Sequence, residues 1–428
     1  MASRTYSTKA KQTGQKPISR KRESRGGAGI QSLAQVSQSK ATDWFDRTFR
    51  AQSIYFYRLL GITLFLVLFG LVMVLSASSI DSLKGTNNSF TVFNRQAAIA
   101  VLGLLAMAAA SLFPVSRFSS WSPRILLIAL AVQFATIFVG KDINGNRNWI
   151  DFGFFSLQPS EFLKVAIILH LANYLTRNQN DFDVPKVWWQ GLIVPLGGMV
   201  LVMAGKDLGT VIVMFALTLG LMSLAGMPGR ITGAVLAATA VLTPMLLSLG
   251  SGSRWGRILA WMNPSAADPN GYNWQSEHGM WAIAAGGIFG QGLGQSKMKW
   301  SWIPEVENDF IFAIIAEELG LIGALAVIGL FVFLMLAFVK VYQRTRDQFS
   351  RYVVLGVMVW ITLQALINIA VVLRLLPVLG VPLPLISAGG SSILATLGAI
   401  GIVLAIEREN HSQPMSQRVS QVRSKVRR

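Results

Sequence analysis

Long apolar runs recur from one end of this chain to the other, and they dictate most of what it can fold into. "LLGITLFLVLFGLVMVLSA", residues 59–77, carries no charge and no polar face at helical spacing, so a helix there has no side to turn to water. A run of about 18 apolar residues or more can cross the roughly 30 Å hydrocarbon layer of a bilayer. Lipid offers no hydrogen bonds to an open backbone, which leaves helices as the structure such runs adopt. Composition agrees: 52% of the 428 residues are hydrophobic and 14% charged, against about 25% charged in soluble proteins.

Ten segments fit, near residues 55–78, 96–113, 125–139, 162–175, 187–204, 208–227, 231–249, 309–339, 352–376 and 385–406. The expected fold class is therefore an all-α polytopic membrane protein of about ten transmembrane helices. An even count puts both tails on one side, together with Arg117, Arg124, Arg177, Lys186, Arg230 and "RTRDQFSR". Basic loops stay cytoplasmic, so both termini are expected there. The organisation is a basic tail over 1–54, a transmembrane domain over 55–406 and a second basic tail over 407–428. A large extracytoplasmic loop, 251–308, separates the seventh and eighth spans.

The net charge of +18 raises the question of a nucleic-acid partner. Much of it sits in the tails, where residues 1–50 hold eleven Lys and Arg against three acids. Aromatic residues are not interleaved as in single-strand binders, and anionic lipid beside cytoplasmic tails explains the charge more simply. With no cysteine in the chain, disulfide and thiolate chemistry are excluded.

Chemistry concentrates where charges meet these spans. In "WIPEVENDFIFAIIAEELG", Asp309 opens the eighth span and is read either as a helix-capping acid or as a general base at the outer face. Glu305 and Glu307 crowd it with negative charge, which a raised pKa or a divalent cation (Mg2+ or Mn2+) would relieve. Glu317 and Glu318 lie roughly 12 Å deeper; a charge there is costly and calls for a partner. Lys164 and Arg374 are the expected partners, with Glu161 on the same helix face as Lys164. "INGNRNWIDFGFF" contributes Arg147, "AGKDLGT" contributes Lys206 and Asp207, and the long loop contributes Arg254 and Lys297. In that loop, glycines 286, 287, 290, 292 and 294 suit a re-entrant connector or close approach to a polar headgroup. "LGVPLPLISAGGSS", with Ser387, reads as a broken helix lining a cavity. An enzyme with a general base at the outer face, a transporter and a non-catalytic scaffold all fit these features.

The motifs "NGNRNWI", "QPSEFLK", "KDLGT", "PNGYNWQSEHGMWAIAAGGIFGQGLG", "IPEVENDFIFAIIAEELGLIG" and "PLPLISAGGSS" occur in the order seen in the SEDS family of membrane proteins (FtsW, RodA, SpoVE), and residues 55–407 resemble that family. The resemblance implies a peptidoglycan glycosyltransferase that polymerises lipid II at the outer face of the cytoplasmic membrane and releases undecaprenyl diphosphate. It implies Asp309 as the catalytic carboxylate; Arg147, Glu161, Lys164, Lys206, Asp207, Arg254, Lys297, Glu305 and Ser387 are the substrate-contact candidates among the polar groups noted above, and no organic cofactor is expected. It also implies a class B penicillin-binding protein and other division proteins as partners. The basic amino-terminal tail and "LISAGG" lean toward a septal, division-type member; an elongation-type enzyme or a lipid II flippase are the alternatives. Departures are "GKDLGT" for Q-P-D-L-G-T, "SAGG" for S-Y-G-G, Leu379 for Thr, and Asn148 directly before Trp149.

Overall fold

The computed structural model describes residues 52–412 apart from 144–145, 152, 154–155, 249–251, 264–270 and 301. Most of both expected tails therefore lies outside the described residues.

Ten long helices follow the ten apolar segments: α1 (Ile54–Thr86), α2 (Thr91–Leu112), α3 (Val115–Val139), α4 (Pro159–Arg177), α5 (Pro185–Ala204), α6 (Leu208–Leu224), α7 (Gly229–Ser248), α10 (Ile311–Arg344), α11 (Gln348–Val372) and α12 (Gly390–Ser412). Between α7 and α10 lie two shorter ones, α8 (Gly252–Met262) and α9 (Trp274–Gly286). Among the described residues, seven helices are long and apolar enough to cross a membrane: α1, α2, α3, α5, α10, α11 and α12. The centre is built from α11 and α12: 67% and 83% of their apolar windows are buried, against 22% for α3. Outward faces stay apolar, with Phe138, Val241 and Leu127 exposed, which is the surface that lipid covers.

Three local outcomes differ from the sequence expectation. The third span starts ten residues early, because α3 runs through Pro123. Proline supplies no N–H and so frees the carbonyl four residues back; Asn173 of α4 fills the gap, donating to the Ser119 carbonyl at 3.2 Å and to Ser122 Oγ at 2.7 Å. The segment between α3 and α4 forms a small antiparallel sheet, β1 (Lys141–Ile143), β2 (Asn146–Asp151) and β3 (Ser156–Leu157), in the order β1-β2-β3. No strand was expected there. The last helix begins at Gly390 rather than near residue 385, leaving an irregular stretch up to Gly389.

The glycine-rich segment after α9 packs along α10 and makes backbone hydrogen bonds to it. Gln291 and Gly292 donate to the Glu317 and Glu318 carbonyls at 2.9 and 3.0 Å, and Leu321 donates to Gly287 at 2.9 Å. The partner groups on α10 are free because the helix breaks at Gly320, whose φ is 70° and ψ −167°. Gly290, at φ 83°, faces the Glu318 carbonyl where a Cβ would overlap it. Gly286 and Gly290 thus serve backbone-to-backbone approach to α10, as a connector folded back on a helix requires. Gly290→Ala is expected to lower the thermal unfolding midpoint in detergent by the equivalent of about 1–3 kcal/mol, from a left-handed backbone and a carbonyl clash together; an unchanged midpoint would contradict this packing.

Candidate active site

Asp309 sits just before α10, partly buried, at the meeting point of three segments. Its backbone carbonyl accepts from Asn368 Nδ2 of α11 at 2.8 Å, and the same nitrogen donates to the Val381 carbonyl at 2.7 Å. Its carboxyl lies against Gly380, where a Cβ would stand 3.5 Å from Oδ2. Gly380 takes φ 69°, a backbone that glycine adopts without strain. The amino end of α6 closes the third side: Gly209 is pressed on the Leu379 carbonyl so closely that a Cβ would overlap it.

These contacts push the Asp309 pKa up from 3.8 to about 7. Burial is the main cause, the negative charges of Glu305 and Asp207 add to it, and Arg257 opposes them. Sequence reasoning missed Arg257, which follows the expected Arg254 by one turn of α8; the Arg254 side chain lies outside what the structure describes. Glu307 is also raised, by burial and by Asp81 and Glu305, with Arg95 opposing.

The other expected site residues separate into groups. Asp207 caps α6, accepting from Thr210 N at 2.9 Å, Thr210 Oγ1 at 2.7 Å and Gln158 Nε2 at 2.8 Å, so its oxygens are committed within the protein. Burial nevertheless raises its pKa. Lys206 and Arg147 are exposed and adjacent, because Arg147 N donates to the Gly205 carbonyl at 2.9 Å and joins β2 to the α5–α6 turn. Glu305 is exposed, at φ 48°, and accepts from Asn308 Nδ2 at 3.1 Å. Ser387 is buried and accepts from Leu383 N at 2.9 Å; it holds the irregular stretch in shape.

The expected pairing of Glu317 and Glu318 with Lys164 or Arg374 does not form. Lys164 Nζ binds Glu161 Oε1 at 2.7 Å and Gln364 Oε1 at 2.9 Å, and lies 4.8 Å from the centre of the Trp360 ring. Arg374 approaches Glu277 at 3.9 Å. Glu317 instead accepts from Ser296 Oγ and, at 2.8 Å, from Lys297 N. Glu318 accepts from Ser76 Oγ at 2.6 Å and lies 3.5 Å from Lys299 Nζ. The glycine-rich segment folds back along α10 far enough to reach the deep glutamates first. Lys297 joins that cluster through its backbone N–H, and its side chain is exposed. Among the described residues, no three His, Asp or Glu side chains are grouped to hold a metal ion.

Residues 57–412 match the FtsW, RodA and SpoVE family model, described as "Cell cycle protein". The chain belongs to that family. Among FtsW/RodA/SpoVE proteins it is 35% identical over 369 residues to the "Probable peptidoglycan glycosyltransferase FtsW" of Tolumonas auensis, covering 83% of this chain and 93% of that one. It is likewise 35% identical over 354 residues to the stage V sporulation protein E of Bacillus subtilis, covering 81% and 95%. Of solved structures, a peptidoglycan synthase complex described as coordinating polymerization and crosslinking superposes with a TM-score of 0.68 at 24% identity over 86% of this chain and 100% of that one. RodA of Thermus thermophilus gives a TM-score of 0.63 at 24% identity over 86% and 99%. Both share the polytopic helical fold described above.

Proposed function

We propose that this protein is a peptidoglycan glycosyltransferase that polymerises lipid II, with Asp309 as its general base. The observation that carries the reading is the placement of the Asp309 carboxyl, partly buried against Gly380 near Glu305 and Asp207, which raises its pKa to about 7, in a family whose relatives include proteins named as probable peptidoglycan glycosyltransferases. A base is most effective when its pKa lies near the working pH, where it is ionised in useful measure and still a good proton acceptor. The acceptor sugar's 4-hydroxyl gives its proton to Asp309 as its oxygen forms a bond to the anomeric carbon of the donor. The bond from that carbon to the lipid pyrophosphate breaks, and its electron pair leaves with undecaprenyl diphosphate. Attack opposite the leaving group inverts the anomeric centre.

Negative charge grows on the pyrophosphate as it departs, and cations placed in advance stabilise it. Arg147 and Lys206 on the shared turn, with Arg257 facing Asp309, are suited to that work. Among the described residues no cluster of three carboxylates or histidines is ready to hold a divalent cation.

The role is septal, in the cytoplasmic membrane of a bacterium, with both termini cytoplasmic and with a class B penicillin-binding protein and other division proteins as partners. The FtsW names among the relatives support this reading, as does the basic amino-terminal tail. The decisive experiment incubates the purified full chain with lipid II in detergent, with and without the transpeptidase partner. Glycan strands are expected. A flippase or a scaffold makes none, because transport needs two compartments and detergent provides one.

A further inference from the structure

α11 carries polar side chains at Trp360, Gln364 and Asn368, four residues apart and so along one face of the helix. Gln364 and Asn368 are each 1% exposed. Gln364 Oε1 accepts from Lys164 Nζ at 2.9 Å and from Trp360 Nε1 at 2.7 Å, while its Nε2 donates to the Pro382 carbonyl at 3.0 Å. One turn on, Asn368 Nδ2 donates to the carbonyls of Val381 and Asp309. Two successive amides thus hold two successive carbonyls of the irregular stretch, and the second also reaches the segment before α10. Both acceptors of Asn368 are carbonyls, so the nitrogen must face them and the amide cannot be turned over. Its Oδ1 is left buried without a partner, an unmade hydrogen bond that an apolar residue of similar size would not carry.

We infer that Asn368 is a positioning residue for Asp309: its one side-chain nitrogen ties the Asp309 carbonyl to the Val381 carbonyl and so sets how the Asp309 carboxyl meets Gly380. The inference rests on the reading of Asp309 as the base. Residues 309 and 381 belong to different segments, and both ends of the Asp309–Gly380 contact are fixed from this nitrogen. Charged groups around the carboxyl are Glu305 on its own segment, Asp207 at the α6 cap and Arg257 on α8. The Glu161–Lys164 pair faces Asp207 from α4. Removing the nitrogen changes both the position of the carboxyl and its shielding from water.

The test measures lipid II polymerisation by the purified full chain across pH for Asn368→Asp and Asn368→Ala, with Asp309→Asn as reference. Asn368→Asp keeps the shape but, held protonated by burial against two carbonyls, offers one O–H where the amide offered two N–H, so only one of the two carbonyls is held; Asn368→Ala opens space for water. In each, kcat is expected to fall about tenfold to a hundredfold with KM nearly unchanged, the size of effect that misplacing a reacting group produces. The acid limb of the rate moves to lower pH in Asn368→Ala, from added hydration. A residue that only supports folding would lower activity in step with the folded fraction and leave the limb in place, and that result would overturn the inference. So would wild-type kcat in both variants. Should Asn368→Asp fail to fold, Asn368→Ala carries the same test through its downward shift. Full activity in Asp309→Asn would instead overturn the reading of the base, and the inference with it.

Discussion

Asp309→Asn is expected to lower lipid II polymerisation by about a hundredfold to ten-thousandfold, the contribution typical of a positioned general base, while making the protein more stable. The amide fills the same space and cannot take up a proton. The gain in stability follows from the raised pKa. A carboxyl at about 7 in the folded protein and near 3.8 when unfolded contributes most below pH 4 or so. That contribution is lost as pH rises toward about 7, by roughly 1.4 kcal/mol per pH unit at most. Asparagine has no such loss. Thermal unfolding in detergent should therefore show the variant's advantage growing between about pH 4 and pH 7 and levelling off above. An inactive variant with the same midpoint as wild type at every pH would mean that the carboxyl is not held in a costly, charge-averse setting.

Lys164→Met should be the most destabilising single change near the site. The ammonium and Glu161 are 1% and 2% exposed and 2.7 Å apart, so removing one partner strands a buried carboxylate, and such losses run to about 3–5 kcal/mol. Gln364 loses one of its two donors as well, which loosens its hold on the Pro382 carbonyl and on the loop against Asp309. Restoring neutrality with Glu161→Leu in the same chain should recover most of the thermal midpoint, because a buried ion pair and a well-packed apolar pair are often close in free energy. A single variant that melts like wild type would contradict the burial of this pair. Recovery of stability in the double variant without recovery of activity would show that the pair also serves the reaction through Gln364.

The seven membrane-length helices among the described residues were legible because lipid leaves little choice: runs such as residues 59–77 can only be helices. Asp309 stood out as a candidate from its position at the mouth of an apolar run and from the family motif around it. Partners were harder. Glu317 and Glu318 demanded counter-charges, and Lys164 and Arg374, basic residues in other spans, were the natural choices. The pairing went instead to Ser296, Lys297 and Lys299, because a break at Gly320 opened backbone groups that drew the glycine-rich segment alongside α10. Such a break needs tertiary contacts to exist, and sequence periodicity does not show it. The ladder on α11 left a readable trace, amides four residues apart in the apolar "WITLQALIN". Its meaning came only with the carbonyls it faces. The short sheet after α3 had no apolar alternation to announce it.

The most direct measurement is the rate of polymerisation by the wild-type protein as a function of pH under single-turnover conditions, where the chemical step is read without product release. The rate should rise with pH through a single ionisation near 7, as Asp309 loses its proton and becomes able to accept another. A rate already at its plateau by pH 5, as an ordinary exposed aspartate would give, would contradict Asp309 as the base.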